Sequence, residues 1–213
     1  YLMLWITMAS AFNVASGFSG YMPFGYVAFY GVGAFTTAIL VKILGFPVLA
    51  ALPFSGLAGV VLGLLFAPTL RLSGIYFAIV SLALAGICRL IITNMPERIT
   101  GGSFGLQLGS RAEPVLSFYV MMLVMLLALG TILWLSRSRL GKALRAVRDD
   151  AEAADMMGVN VVRVRLYGWL IAAFFPALCG GIEAWYTNVV DTETAFNTLT
   201  TAKTVIYAVA GGL

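Results

Sequence analysis

The first forty-one residues contain no Asp, Glu, Lys or Arg. A soluble domain must keep charge on the outer face of each element, and about a quarter of its residues are charged. Hydrocarbon reverses that demand, because it penalises charge on a spanning segment. The whole chain follows this pattern: 61% of it is apolar and only 10% is charged, an excess that a bilayer absorbs and a soluble core of this size does not. Inside lipid, every backbone N–H and C=O must be bonded internally. A helix rises 1.5 Å per residue, so about 20 apolar residues cross the hydrocarbon layer. Apolar runs of about this length occupy residues 1–16, 27–44, 48–70, 75–93, 115–136 and 166–187, and another begins near Thr201. The expected fold class is all-α, a polytopic transmembrane helical bundle of roughly six spans plus part of another. Residues 1–213 read as a single transmembrane domain. With Tyr1 in place of Met, and an end inside an apolar run, the chain reads as a fragment of a longer protein without a visible signal peptide.

Charge sets the orientation. Residues 137–165 hold seven of the thirteen Lys and Arg residues and four of the nine acids. Short basic loops stay on the cytoplasmic side. That places Arg71 inside as well, and puts residues 94–114, with only Arg98 and Arg111, outside. Residues 188–200, with Asp191 and Glu193, are also expected outside. The net charge of +4 is thus a topology signal, and no nucleic-acid partner is implied. The absence of histidine removes His-ligated zinc or haem and Ser-His-Asp catalysis. No metal site and no catalytic residue is expected. Cys88 and Cys179 both lie in apolar runs and read as small hydrophobes, with no disulfide framework. No Gly-x-x-x-x-Gly-Lys-Ser/Thr loop occurs, so the chain carries no phosphate cradle of its own.

Three features carry functional content. Gly17 to Gly25 forms a Gly/Pro-rich break between the first two spans. It is either a tight connection or an unwound segment whose backbone N–H and C=O groups face a polar solute. Arg89 and Glu183 are the ionisable residues deepest in the spans, both toward the outer side; they either reach the headgroups separately or pair. Within the basic loop, Asp149 and Asp150 suit a helix N-terminus and Gly158 suits a C-terminal cap. Ala151, Ala154 and Met157 fall on one face of that helix, and Glu152 and Asp155 on another. Glu152, Ala153 and Ala154, with Gly158 four residues on, match the E-A-A-x-x-x-G pattern by which ABC-importer membrane subunits dock on their ATPase. The plain alternative is a solvated helical loop.

Four blocks in order extend this likeness: Gly17-Phe-Ser-Gly with Phe29-Tyr-Gly-Val-Gly-Ala-Phe-Thr; Arg71-Leu-Ser-Gly-Ile-Tyr-Phe-Ala-Ile-Val; Thr100-Gly-Gly-Ser-Phe-Gly-Leu; and Ser138-Arg-Leu-Gly-Lys-Ala-Leu-Arg-Ala-Val-Arg-Asp-Asp through Gly158. With them the chain resembles the permeases of bacterial branched-chain amino-acid ABC transporters. The resemblance implies a multi-pass subunit of the bacterial inner membrane that translocates aliphatic amino acids. It implies a sister permease, two cytoplasmic ATP-binding subunits and an external substrate-binding protein as partners. ATP would be bound by the partner ATPase, with no cofactor on this chain. Residues 137–165 would be the coupling loop, with Arg145, Asp149, Glu152, Ala153, Ala154 and Gly158 contacting the ATPase. Gly17, Ser19, Gly20, Pro23, Gly25 and Tyr26 would lie on the translocation path, and Thr100, Gly101 and Gly102 would meet the binding protein; the plain alternative for these last three is a flexible loop. Pro23, Tyr26 and Phe104 depart from the family's usual residues, which bears on the solute, and a urea or short-amide permease is the alternative. A passive channel or ion-coupled carrier is the rival from another class, but it would favour ionisable groups at mid-depth, which this chain lacks.

Overall fold

The computed structural model describes residues 1–72, 74–101, 105–109 and 113–211. Gly102, Phe104 and Arg111, singled out above, lie outside them. Helix α1 (Leu2–Asn13) runs into a π-helical turn (Val14–Phe18), and a buried, non-helical stretch leads to α2 (Val27–Lys42). Helix α3 (Val48–Phe66) ends in a 3-10 turn (Ala67–Arg71), then α4 (Ile75–Thr93) and a short α5 (Glu97–Thr100) follow. Strand β1 (Leu106–Gln107) precedes α6 (Pro114–Arg137). Helices α7 (Arg139–Asp149) and α8 (Ala151–Met156) form the basic loop, and α9 (Val161–Thr187) returns across the bundle. Strand β2 (Val189–Val190), α10 (Thr192–Ala195) and α11 (Thr198–Ala210) complete the described chain. A helix is present at each of the predicted apolar runs; among the described residues four are of spanning length, and those at the first two runs, Leu2–Phe18 and Val27–Lys42, are shorter. Helix α9 starts five residues before the predicted 166, so residues 161–165, assigned above to the basic loop, belong to it: Asn160 caps its N-terminus by accepting from the Arg163 N–H at 3.0 Å.

Small residues decide the packing. A Cβ at Gly33 would collide with the Ala177 carbonyl, and one at Gly180 with the Tyr30 carbonyl, so α2 and α9 touch backbone to backbone. Contacts of α2 rise along both helices, from Tyr26 with Ala172 to Thr37 with Gly181, so the two run parallel. Those of α3 fall, from Ser55 with Gly181 through Gly59 with Ala173 to Gly63 with Leu170, so α3 is antiparallel. This is the close approach that small residues permit where lipid gives helices no hydrophobic reason to associate. Helix α1 covers the same core, with Phe12 edge-on to Tyr26 at 5.3 Å. Helices α4 and α6 are more peripheral and expose long apolar rows such as Ile79, Leu82 and Leu90, or Leu123, Leu126 and Leu133, as a lipid-facing surface does.

Two proline and turn sites free carbonyls, and buried side chains take them. Pro176 inside α9 has no N–H for the carbonyl four residues earlier. That carbonyl belongs to Ala172, and the fully buried Tyr26 hydroxyl donates to it at 2.8 Å. The Ala67 N–H turns to Leu64 at the start of the 3-10 turn, which releases the Gly63 carbonyl. The Trp169 indole N–H donates to it at 3.1 Å.

The helix directions place Tyr1, Thr93, Pro114 and Thr187 at one end, and Phe18, Arg71, Arg137 and Val161 at the other. The basic loop lies at the second, the end that the positive-inside rule leads one to expect on the cytoplasmic side. Impermeant thiol labelling of intact cells, with Cys88 and Cys179 replaced, is expected to mark Glu193→Cys and to miss Lys142→Cys until the membrane is opened. The reverse pattern would invert the orientation.

The loop expected outside at 188–200 is only partly a surface loop. Its β2 pairs antiparallel with β1, Leu106 opposite Val190, which ties the two outer loops together. Beyond it, the chain turns back into the bundle. The Phe196 ring packs on Gly31, and Thr201 Oγ1 accepts from the Val27 N–H at 3.0 Å. Gly31 has no side chain to exclude that ring, and the α2 N-terminus has free donors to offer.

Candidate functional site

The inner end is built around α7. Ser138 caps it by accepting from the Gly141 N–H at 3.1 Å. Gly141, Leu144 and Val147, spaced three apart, are buried and form its inward stripe. Gly141 sits against the Leu135 carbonyl, and Leu144 fills the space left by Gly168 of α9. Helix α7 is thereby fixed to the ends of α6 and α9.

From the flank of α7, two arginines reach the break after α1. Arg145 donates to the Ser136 carbonyl at 2.9 Å and lies over the Phe18 ring at 5.9 Å. Arg148 donates to the Gly17 carbonyl. Its aliphatic stem crosses Gly20, where a Cβ would come within 2.8 Å of Arg148 Cγ. Gly20 also has φ +75, a second reason for glycine there. Arg148 meets Asp149 as well, at 3.2 Å, an exposed pair worth little by itself.

The break is an ordered connection. Ser19, Tyr21, Pro23 and Gly25 are buried, alternating with exposed Gly20, Met22 and Phe24. The N–H groups of Gly20 and Tyr21 bond back to the Ser16 and Ala15 carbonyls at 3.0 Å each. The Gly25 N–H donates to Ser81 Oγ at 3.2 Å, and the Tyr21 hydroxyl donates to the Leu70 carbonyl at 2.8 Å. Four elements therefore hold the break: α3 through its 3-10 turn, α4, α7 and α9.

Helix α8 projects from this assembly. Asp150 caps it, accepting from the Glu152 and Ala153 N–H groups at 3.0 Å each. Asp149 does not share that role; it closes α7, because the chain turns extended at Asp150. Gly158 takes φ +84, with its N–H on the Asp155 carbonyl and the Val159 N–H on the Ala154 carbonyl. That is a Schellman closure, as the glycine predicted. Ala154 packs inward while Glu152, Ala153 and Asp155 face out. Met157 does not share the Ala154 face as its spacing predicted: α8 ends at Met156, helical periodicity stops there, and Met157 is 86% exposed.

At the outer end, Arg89 and Glu183 do not pair. The Glu183 carboxyl accepts from the Tyr30 hydroxyl, a neighbour across the α2–α9 contact. Arg89 is exposed on α4 and lines a crevice with Asp191 and Glu193. Thr100 is buried, and Gly101 at φ +74 closes α5 against the Gly105 carbonyl. Sequence reasoning missed the Arg148 clasp, the β1–β2 ladder and the return of Phe196, since each depends on a tertiary neighbour. The one available signal was Gly31, a small residue facing the core amid large ones.

Tyr26→Phe is expected to destabilise the bundle by about 1 kcal/mol, inside the range measured for buried bonds between membrane helices. In a Pro176→Ala background the backbone N–H is restored and the same change should cost almost nothing. Thermal unfolding in detergent across the four variants checks this, and equal losses in both backgrounds would contradict it.

Helices that bury backbone against backbone and expose long apolar rows define a multi-pass membrane protein, and among the described residues four are long and apolar enough to span. The family model described as "Branched-chain amino acid transport system / permease component" matches residues 1–213, and the chain belongs to that family. It is 31% identical to the high-affinity branched-chain amino acid transport system permease LivM of Salmonella typhimurium, over 99% of this chain and 57% of the relative. The Escherichia coli LivM gives the same identity and coverage. The guanosine ABC transporter permease NupQ of Bacillus subtilis is 36% identical over 29% of this chain and 20% of its own. The chain thus spans a little over half the length of the LivM relatives. No solved structure matches it.

Proposed function

We propose that this chain is the membrane-spanning part of an ABC importer that moves branched-chain amino acids across a bacterial inner membrane. The observation that carries the reading is the family match over residues 1–213 together with the 31% identity to LivM across 99% of the chain. The solute passes through the bundle, and the energy comes from ATP bound and hydrolysed by cytoplasmic partner subunits. A sister permease completes the path, and an external binding protein delivers the solute, with Thr100, Gly101 and Gly102 among its contacts. No cofactor resides on this chain.

Helix α8 supports the docking role. It is capped at both ends, held to the bundle through Ala154, and offers Glu152, Ala153, Met156 and Met157 to a partner. Arg148 gives α7 a grip on the carbonyl of Gly17. A displacement of the α7–α8 unit by the ATPase then reaches the break at Gly17, Ser19, Gly20, Pro23, Gly25 and Tyr26 directly, and the α1–α2 pair responds.

Uptake of labelled leucine by the full assembly in vesicles tests the reading. Excess isoleucine or valine should compete, and urea should not. Competition by urea or guanosine, with none by the aliphatic amino acids, would reassign the solute.

A further inference from the structure

The inner end carries a second polar site, separate from the α7 clasp. A crevice of about 340 Å³ opens between the end of α3 and the start of α9. Its lining is Leu64, Ala67, Pro68 and Leu70 from one side and Val162 and Leu166 from the other, with Arg71 and Arg165 as its charged groups. Small-ligand sites begin at about 300 Å³ and are mostly apolar with a few placed polar groups. No acid lines this one, and among the described residues neither arginine has a carboxylate within salt-bridge distance.

Arg165 is held in place. Its guanidinium lies 5.2 Å over the Tyr21 ring, whose hydroxyl is bound to Leu70. Its Nε is buried with no partner among the described residues. Two cations without counter-charge at the mouth of an apolar crevice call for an anion attached to an apolar body. Position narrows the choice. The crevice sits where α3 ends and α9 begins, the depth of the cytoplasmic headgroups. Leu64 and Leu65 stand beside it at 48% and 70% exposure, on the membrane side. Basic pockets between spanning helices on the cytoplasmic side suit anionic lipid heads, and arginine forks match phosphate oxygens.

We propose that this crevice binds an anionic phospholipid of the inner leaflet, its phosphate between Arg71 and Arg165 and its acyl chains along Leu64 and Leu166. The site does not depend on which solute is carried. A lipid seated there bridges α3 to α9 beneath the break, since Tyr21 links Arg165 to the carbonyl of Leu70.

The test uses the full chain purified in a neutral detergent and titrated with short-chain phosphatidylglycerol, short-chain phosphatidylcholine or inorganic phosphate, with thermal stability as the readout. Phosphatidylglycerol should raise the melting temperature saturably, at concentrations at least ten-fold below any effect of phosphatidylcholine. Arg71→Gln with Arg165→Gln should weaken that response at least ten-fold. Because Arg165 also stacks on Tyr21, the single Arg71→Gln, an exposed position, is the second variant and should weaken it several-fold. Arg137→Gln with Arg139→Gln removes the same charge elsewhere at the inner end and should leave the response intact. Equal responses to the two lipids would overturn the proposal. So would an unchanged response in Arg71→Gln, or an equal loss in the Arg137/Arg139 control, and a matching shift with inorganic phosphate would make this a free-anion site.

Discussion

Gly180→Val is expected to abolish the folded bundle, and Gly33→Leu to do nearly the same. At both positions an added Cβ would lie inside the backbone of the facing helix, against Tyr30 from Gly180 and against Ala177 from Gly33. Overpacking a core usually costs about 1–3 kcal/mol, because side chains shift to make room. Backbone atoms in the middle of two helices have no such freedom, so α2 and α9 must separate. Separation also strips the Tyr26 hydroxyl from Ala172 and the Tyr30 hydroxyl from Glu183. The expected loss therefore exceeds the usual range, against total stabilities of about 5–15 kcal/mol. The measurement is the fraction of protein that stays monodisperse in mild detergent, with reactivity of the buried Cys179 as a second probe. Gly86→Ala is the control, since a Cβ there meets nothing within 4 Å. A Gly180→Val protein that melts with the wild type and keeps Cys179 protected would show that the two helices do not pack as described.

The spans were legible because lipid imposes a length and a composition at once. Apolar runs of about 20 residues with at most one charge each permit few readings, and the helices fall where the runs do. Local chemistry carried nearly as well. Gly158 closes α8 in the left-handed conformation, and Asp150 caps it, because a cap depends on residues within one turn. Asp149 failed as a cap for the same local reason: two adjacent acids cannot both occupy the one extended position before a helix, and Asp150 holds it. What the sequence hid were pairings across it. Nothing near Arg148 in the chain points to Gly17, 131 residues away. Nothing near Tyr26 points to Pro176, although each makes sense once they meet. Arg89 and Glu183, both charged and deep, read either as groups that reach the headgroups separately or as a pair, and the first alternative holds only in that they do not meet. A hydroxyl on the neighbouring helix was nearer to Glu183, and the periodicity that exposed both groups could not rank their neighbours.

Glu152→Lys and Arg148→Met are expected to impair transport by two separable failures. Glu152 is exposed on α8, so reversing its charge leaves the bundle intact and alters only what the helix presents. Gly158→Val acts on the same surface through the backbone: a β-branched residue in the left-handed region costs about 1–2 kcal/mol, enough to unwind the closure of a six-residue helix without touching the spans. Both variants should insert normally, fail to retain the ATPase through purification, and transport at least ten-fold less than wild type. Arg148→Met is different. It keeps the aliphatic stem across Gly20 and loses the donor to the Gly17 carbonyl, together with the exposed and weak pair to Asp149. The ATPase should remain bound and hydrolyse ATP, while solute movement per ATP falls several-fold, because α7 no longer pulls on the break. Arg148→Lys keeps one charged donor and should recover part of the coupling. Normal transport in Glu152→Lys and Gly158→Val together would remove α8 from the docking surface. If instead Arg148→Met transports and hydrolyses like wild type, the motion reaches the spans by another contact, and the buried Leu144–Gly168 seam between α7 and α9 becomes the route to examine.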